Sequence, residues 1–168
     1  MHAKTRLAGA ILIWAMPAIG FAMNDSDMPG MDHSNHQHGQ AFSFGHPGRA
    51  AEVTRTVAVA MNEMSFSPAM LELKKGETIR FVVNNKSDVD HEMTLGDEPL
   101  QAAHRKEMLA MAESGMTMNH HGDVNAVSVP AGKSGELIWT FTEATTIEFD
   151  CDIPGHYEAG MKGVIVIR

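Results

Sequence analysis

The sequence predicts an all-β domain, a sandwich or barrel, broken by one helix. Three observations carry this. Short runs rich in β-branched and aromatic residues recur from Val53 to the C-terminus. Gly and Pro punctuate them, as at Gly76, Pro130, Gly132, Gly135, Pro154 and Gly155. One stretch, Leu100 to Glu113 (LQAAHRKEMLAMAE), has no β-branched residue and many good helix formers.

Taken in order, Thr56 to Met61 (TVAVAM) alternates like a strand. Ala69 to Leu73 reads as a second strand, followed by a turn at Lys75-Gly76. Thr78 to Asn84 (TIRFVVN) is the most β-prone segment, and His91 to Leu95 forms a short strand after the loop NNKSDVD. The helix falls in an insert over about residues 98–123, whose end, Met116 to Asp123 (MTMNHHGD), reads as a loop. Ala126 to Val129, Glu136 to Phe141, Thr145 to Cys151 and Gly163 to Ile167 complete the strands, so the domain is expected over residues 51–168.

The N-terminus reads as an export signal. Lys4 and Arg6 precede an apolar run, Leu7 to Ile19, and Gly20-Phe21-Ala22 ends residues 1–22 with small side chains where a signal peptidase cuts. The run is too short for a spanning helix, which needs ~20 residues, and Pro17 interrupts it. No other segment could span a bilayer, so the mature chain is expected in the periplasm without a membrane span. Residues 23–50 are polar and Gly-rich with no apolar periodicity, the composition of a disordered tail. They carry Met23, Met28, Met31, His33, His36, His38 and His46, a density that favours weak copper capture. Without Lys4 and Arg6 the chain has 11 basic against 21 acidic residues, a balance that argues against a nucleic-acid partner.

The single cysteine lies in Cys151-Asp-Ile-Pro-Gly-His156-Tyr-Glu-Ala-Gly-Met161. An exported chain cannot form an internal disulfide with one cysteine, so Cys151 is an inert core residue, an intermolecular bridge or a metal ligand. Its company favours the last. A short loop between two strands can return Cys151, His156 and Met161 to one point, and thiolate, imidazole and thioether are copper donors. Two His and one Cys in a plane, with a weak axial Met, describe a type 1 (blue) copper site. His91, at the start of a strand, is the best candidate for the second imidazole. Met93 shares its face in a strand and reads as core filler. In the insert, His104, Met108 and Met111 fall on one helical face. With Met116, Met118, His120 and His121 they are candidates for a second copper site, against simple packing on the sandwich.

The segments FSPAMLELKKGETIRFVVNN, DHEMTL and CDIPGHYEAGMKGVIVI resemble the cupredoxins, over about residues 53–168. The Cys-x4-His-x4-Met spacing is among those the family uses, and the chain is most similar to exported cupredoxins linked to bacterial copper tolerance. The resemblance implies a Greek-key β-sandwich with one copper ion at one end, held by His91, Cys151, His156 and Met161. It departs from the pattern at Glu92, where many cupredoxins place an Asn that ties the two ligand loops together.

Two roles follow from these readings. The Met/His tract and insert favour copper handling or tolerance, through one-electron Cu(I)/Cu(II) chemistry and with copper ions as partner. The fold resemblance alone favours a soluble electron carrier serving a redox or copper-transfer protein. An enzyme is not expected: Asp150 and Asp152, not His, flank Cys151, there is no set of His-x-His pairs to supply a trinuclear cluster, and a binuclear copper site would need two cysteines.

Overall fold

The structure is a computed structural model and describes residues 42–115 and 123–168. The strands are β1 (Gly45–Pro47), β2 (Arg55–Asn62), β3 (Ser65–Ser67), β4 (Met70–Leu73), β5 (Thr78–Asn85), β6 (His91–Gly96), β7 (Ala126–Val129), β8 (Ser134–Phe141), β9 (Thr146–Asp150) and β10 (Lys162–Ile167). A helix, α1 (Glu98–Glu113), separates β6 from β7. One sheet runs β1-β8-β5-β2-β3 and the other β4-β10-β9-β6-β7. The two sheets bury one shared apolar core, so the architecture is a sandwich and not a barrel.

Strand alternation builds that core. β5 turns Ile79, Phe81 and Val83 inward, and β8 answers with Leu137, Trp139 and Phe141. From the other sheet come Leu95, Ile147, Phe149, Ile165 and Ile167. Met93 is buried among them, as core filler.

The domain begins earlier than residue 51. The rings of Phe42 and Phe44 lie 5.0 and 5.4 Å from that of Trp139, and β1 pairs with β8 from Gly45↔Phe141 to Pro47↔Trp139. The expected boundary at residue 50 is therefore corrected: residues 42–50 belong to the sandwich. Phe42-Ser-Phe44 carried the signal, an apolar alternation hidden in Gly- and Pro-rich surroundings. His46 stands exposed in β1, its Nδ1 3.0 Å from the Pro47 carbonyl oxygen. The expected signal sequence of residues 1–22, the remaining Met and His of the tail, and Met116, Met118, His120 and His121 lie outside the described residues. Among the described residues no helix is long and apolar enough to cross a membrane.

β6 is buried along its whole length. His91, Met93 and Leu95 face one way, and α1 covers the alternate positions Glu92, Thr94 and Gly96. The helix starts at Asp97, whose carboxylate accepts the Leu100 N–H at 3.1 Å. Gln101 is fully buried and donates through Nε2 to the Thr94 carbonyl at 2.8 Å. A Cβ on Gly96 would press against the Gln101 side chain at 3.0 Å, so the glycine lets the helix close on the strand. Of the predicted helical face, His104 and Met108 are buried and Met111 half-buried.

Candidate metal centre

Two loops meet at one end of the sandwich. The first precedes His91 and is organised by Asn85, the buried last residue of β5. Asn85 Nδ2 donates to the carbonyls of Val89 (2.8 Å) and Val129 (2.9 Å). Its Oδ1 accepts from the Ser87 N–H (3.0 Å) and hydroxyl (2.8 Å). A buried amide with four partners fixes where β6 begins, and so where His91 points. Sequence reading passed over Asn85, because in Asn84-Asn85-Lys86 it looks like any loop residue.

The second loop is Cys151 to Met161, between β9 and β10. His156 N–H donates to the Ile153 carbonyl at 2.9 Å, and Met161 N–H to the His156 carbonyl at 3.0 Å. Gly155 and Gly160 adopt φ of 90° and 105°, values that favour glycine and let the chain fold back within a few residues. The Cys151 N–H closes the loop on the Met161 carbonyl at 3.1 Å.

The loops bring His91, Cys151 and His156 together. The Nδ1 atoms of the two imidazoles are 3.2 Å apart, and Cys151 Sγ lies 3.3 Å from His156 Nδ1 and 3.8 Å from His91 Nδ1. A triangle with these edges has a centre about 2 Å from each corner, close to a metal–imidazole bond (~2.0–2.1 Å) and slightly short of a metal–thiolate bond (~2.3 Å). The donor set thus fits one soft or borderline ion. Cys151 and Met161 are wholly buried, His91 is 1% exposed, and His156 is half-buried at the edge.

Burial favours the neutral form of the ionisable donors in the absence of a cation. It pushes the Cys151 thiol up to about 12. It holds His91 below the usual histidine value, with the nearby His156 adding to the effect, and lowers His156 likewise. Neutral imidazole is the form that binds metal, and a thiol this hard to ionise gives up its proton when a cation is there to replace it.

A layer of charge lies behind the donors, under α1. Glu92 Oε1 accepts the Asp152 N–H at 3.1 Å, linking the residue after His91 to the residue after Cys151. This is the tie between ligand loops that Asn makes in many cupredoxins, here made by a carboxylate. Arg105 of α1 donates to Asp150 Oδ2 at 2.9 Å and lies over the Tyr157 ring at 3.8 Å. Burial, and next the neighbouring Asp152, push Asp150 up to about 8. Burial also pushes Asp152 up to about 6, against the pull of His104. His104 faces Glu92 and Asp152, and with them forms a separate buried group.

Comparison with known proteins places the chain among copper-binding proteins. The family model for copper binding proteins of the plastocyanin/azurin family matches residues 53–168. The chain is 44% identical over 155 residues to the "Copper-resistant cuproprotein CopI" of Pseudomonas aeruginosa, covering 78% of this chain and 84% of the relative. It is 43% identical over 154 residues to the protein of the same name from Rubrivivax gelatinosus, covering 88% of this chain and 90% of the relative. Among solved structures, auracyanin B is similar with a TM-score of 0.58 at 24% identity, over 76% of this chain and 96% of that one, a likeness of fold.

Proposed function

Because the chain belongs to the plastocyanin/azurin family of copper-binding proteins, we propose that His91, Cys151, His156 and Met161 would hold its copper ion. The observation that carries this is the triangle of two Nδ1 atoms and one thiol sulfur, with a common centre at bonding distance. Copper supplies a one-electron couple, Cu(I)/Cu(II), when bound. The protein's own part is to present two neutral imidazoles, release the thiol proton, and keep water away. The Asn85 network and the Glu92–Asp152 bond hold both loops in place, so the donors need not rearrange between oxidation states.

The role we favour is copper handling or tolerance outside the cytoplasm, rather than catalysis. The relatives at 43–44% identity are named as copper-resistant cuproproteins, and the leader and the Met/His tract of residues 23–41 suit an exported copper-binding chain. Electron carriage is the second reading. It is favoured by half-buried His156, which would offer a route for electrons through the loop surface of Pro154, Tyr157 and Ala159 to a protein partner. Growth of the producing cell in excess copper tests the choice. Copper handling expects poorer growth when the chain is deleted, and rescue by the wild-type chain. Unchanged growth on deletion would leave electron carriage.

A further inference from the structure

We propose that Glu92, His104 and Asp152 form a second cation site, for a divalent ion of borderline hardness, buried between α1 and the strand ends that carry His91 and Cys151. The three side chains come from three separate elements and place one donor atom each within 4.8 Å of the others. All three are 8% exposed or less.

The spacing is that of co-ligands. His104 Nε2 lies 3.6 Å from Glu92 Oε1 and 3.8 Å from Asp152 Oδ2. A charge-assisted hydrogen bond draws such atoms to ~2.7–2.9 Å. Donors that share one ion with bonds of ~2.0–2.2 Å stand farther apart, at about the distances found here. The Asp152 carboxylate has no hydrogen-bond partner at Oδ1 or Oδ2, although its side chain is wholly buried. A buried carboxylate in that condition is costly. Glu92, Asp150 and Asp152 share one guanidinium, Arg105, and one imidazole, His104, which burial lowers but Glu92 and then Asp152 hold above the ordinary histidine value, so the spot itself favours positive charge. The guanidinium bonds Asp150 at 2.9 Å and reaches Asp152 only at 3.7 Å, on Oδ1. Oδ2 is left facing His104. A groove of about 420 Å³ between α1 and the Cys151–Met161 loop, lined by Arg105, Asp152, Ile153 and Tyr157, borders the group on the Asp152 side.

One imidazole and two carboxylates differ in kind from the thiolate site. Oxygen donors disfavour Cu(I), whereas Cu(II) and Zn(II) both accept this set, Cu(II) more tightly. The chain then carries a redox-active site and, through the adjacent residues Glu92 and Asp152, a site for divalent ions only.

The test uses the full mature chain. Crystals saturated with Cu(II), and separately with Zn(II), are measured at each metal's absorption edge. The expected result is an anomalous peak at bonding distance from His104 Nε2 and the two carboxylates, distinct from any peak at Cys151. Peaks in both soaks with preferential Cu(II) uptake under competition fit the proposal. A saturated crystal with no peak there, whichever metal is used, overturns it and leaves water or direct ion pairing between the groups. In solution, His104→Ala should lose one tightly held Cu(II) per chain, with its broad-hyperfine paramagnetic resonance signal, while the thiolate absorption band stays. Equal stoichiometry and spectra with that band intact would also overturn it. If the variant loses the band as well, the crystal result decides.

Discussion

Glu92 and Asp152 are joined by a 3.1 Å hydrogen bond from the Asp152 N–H to the Glu92 carboxylate. Each is the next residue after a candidate copper ligand. The bond therefore couples the positions of His91 and Cys151 across 60 residues of chain. Glu92→Leu should remove it while keeping the bulk. We expect the copper to remain, with its thiolate band shifted and its reduction potential changed, since such outer bonds tune the metal. Absorption and voltammetry check this, and an unchanged spectrum and potential would dismiss the tie as incidental.

Copper(II) added to the mature chain should produce an intense thiolate-to-copper band, which Cys151→Ser abolishes because a hydroxyl cannot replace the thiolate. A band persisting in the serine variant would mean another ligand is responsible.

The ligands should rank by bond strength. His91→Ala opens a strong position and is expected to weaken copper binding at least tenfold, the usual lower end for losing a ligand-supporting group. Met161→Leu should retain copper and move its potential, the axial bond being long and weak. Competition with a chelator separates the two, and complete copper loss in the Met161 variant would reverse the ranking.

Acid should release copper later than from an ordinary histidine site. His91 and His156 are held below 6.5, so protons displace the metal only as pH falls beneath that value. In the metal-free chain the sign is the same. The unfolded chain takes up these protons first, so the stability due to neutral imidazoles is full above 6.5 and is lost as pH falls through the lowered folded values. Copper retention across pH 8 to 4 checks this, and a release midpoint above 6.5 would contradict it.

Arg105→Ala leaves Asp150 buried beside Asp152 without its cation. The loss should reach ~3–5 kcal/mol, the usual cost of breaking a buried pair. Asp150 already stands at about 8, so it is mostly protonated in mild acid, where the loss shrinks. Urea midpoints at pH 5.5 and 9 provide the measurement, and an equal deficit at both would point to lost Tyr157 packing instead.

Two deletions separate the tract from the fold. Removing residues 23–41 should leave the coloured site and stability unchanged and lower the number of copper ions bound. Removing residues 23–48 takes Phe42 and Phe44 as well, and burying a Phe is worth ~3–5 kcal/mol by truncation. Thermal melts and copper stoichiometry of both chains decide, and a harmless longer deletion would refute the revised boundary.

These outcomes follow where sequence reading succeeded and failed. The central strands were legible because Thr78–Asn85 and Ser134–Phe141 alternate over eight residues each. β1 and β3 were not, being three residues long and crowded with Gly, Pro or Ser. The Cys151–Met161 loop was legible because its donors are close in sequence. His91 needed a strand start to mark it. The group of Glu92, Asp150, Asp152, His104 and Arg105 left no local pattern, because an inserted helix assembles it from three distant segments.

The double-sided burial of β6 has a bearing on how the domain avoids misassembly. A slip of one residue would exchange its two faces. Glu92 would then enter the core next to Cys151, and His91 would turn under the helix. An unpaired carboxylate in that position costs several kcal/mol, and the Gly96–Gln101 fit and the Asn125 amide on the Leu95 carbonyl (2.7 Å) would fail together. The insert thus acts as a proofreader of strand alignment: only the register that delivers an imidazole to the thiol allows the helix to seat.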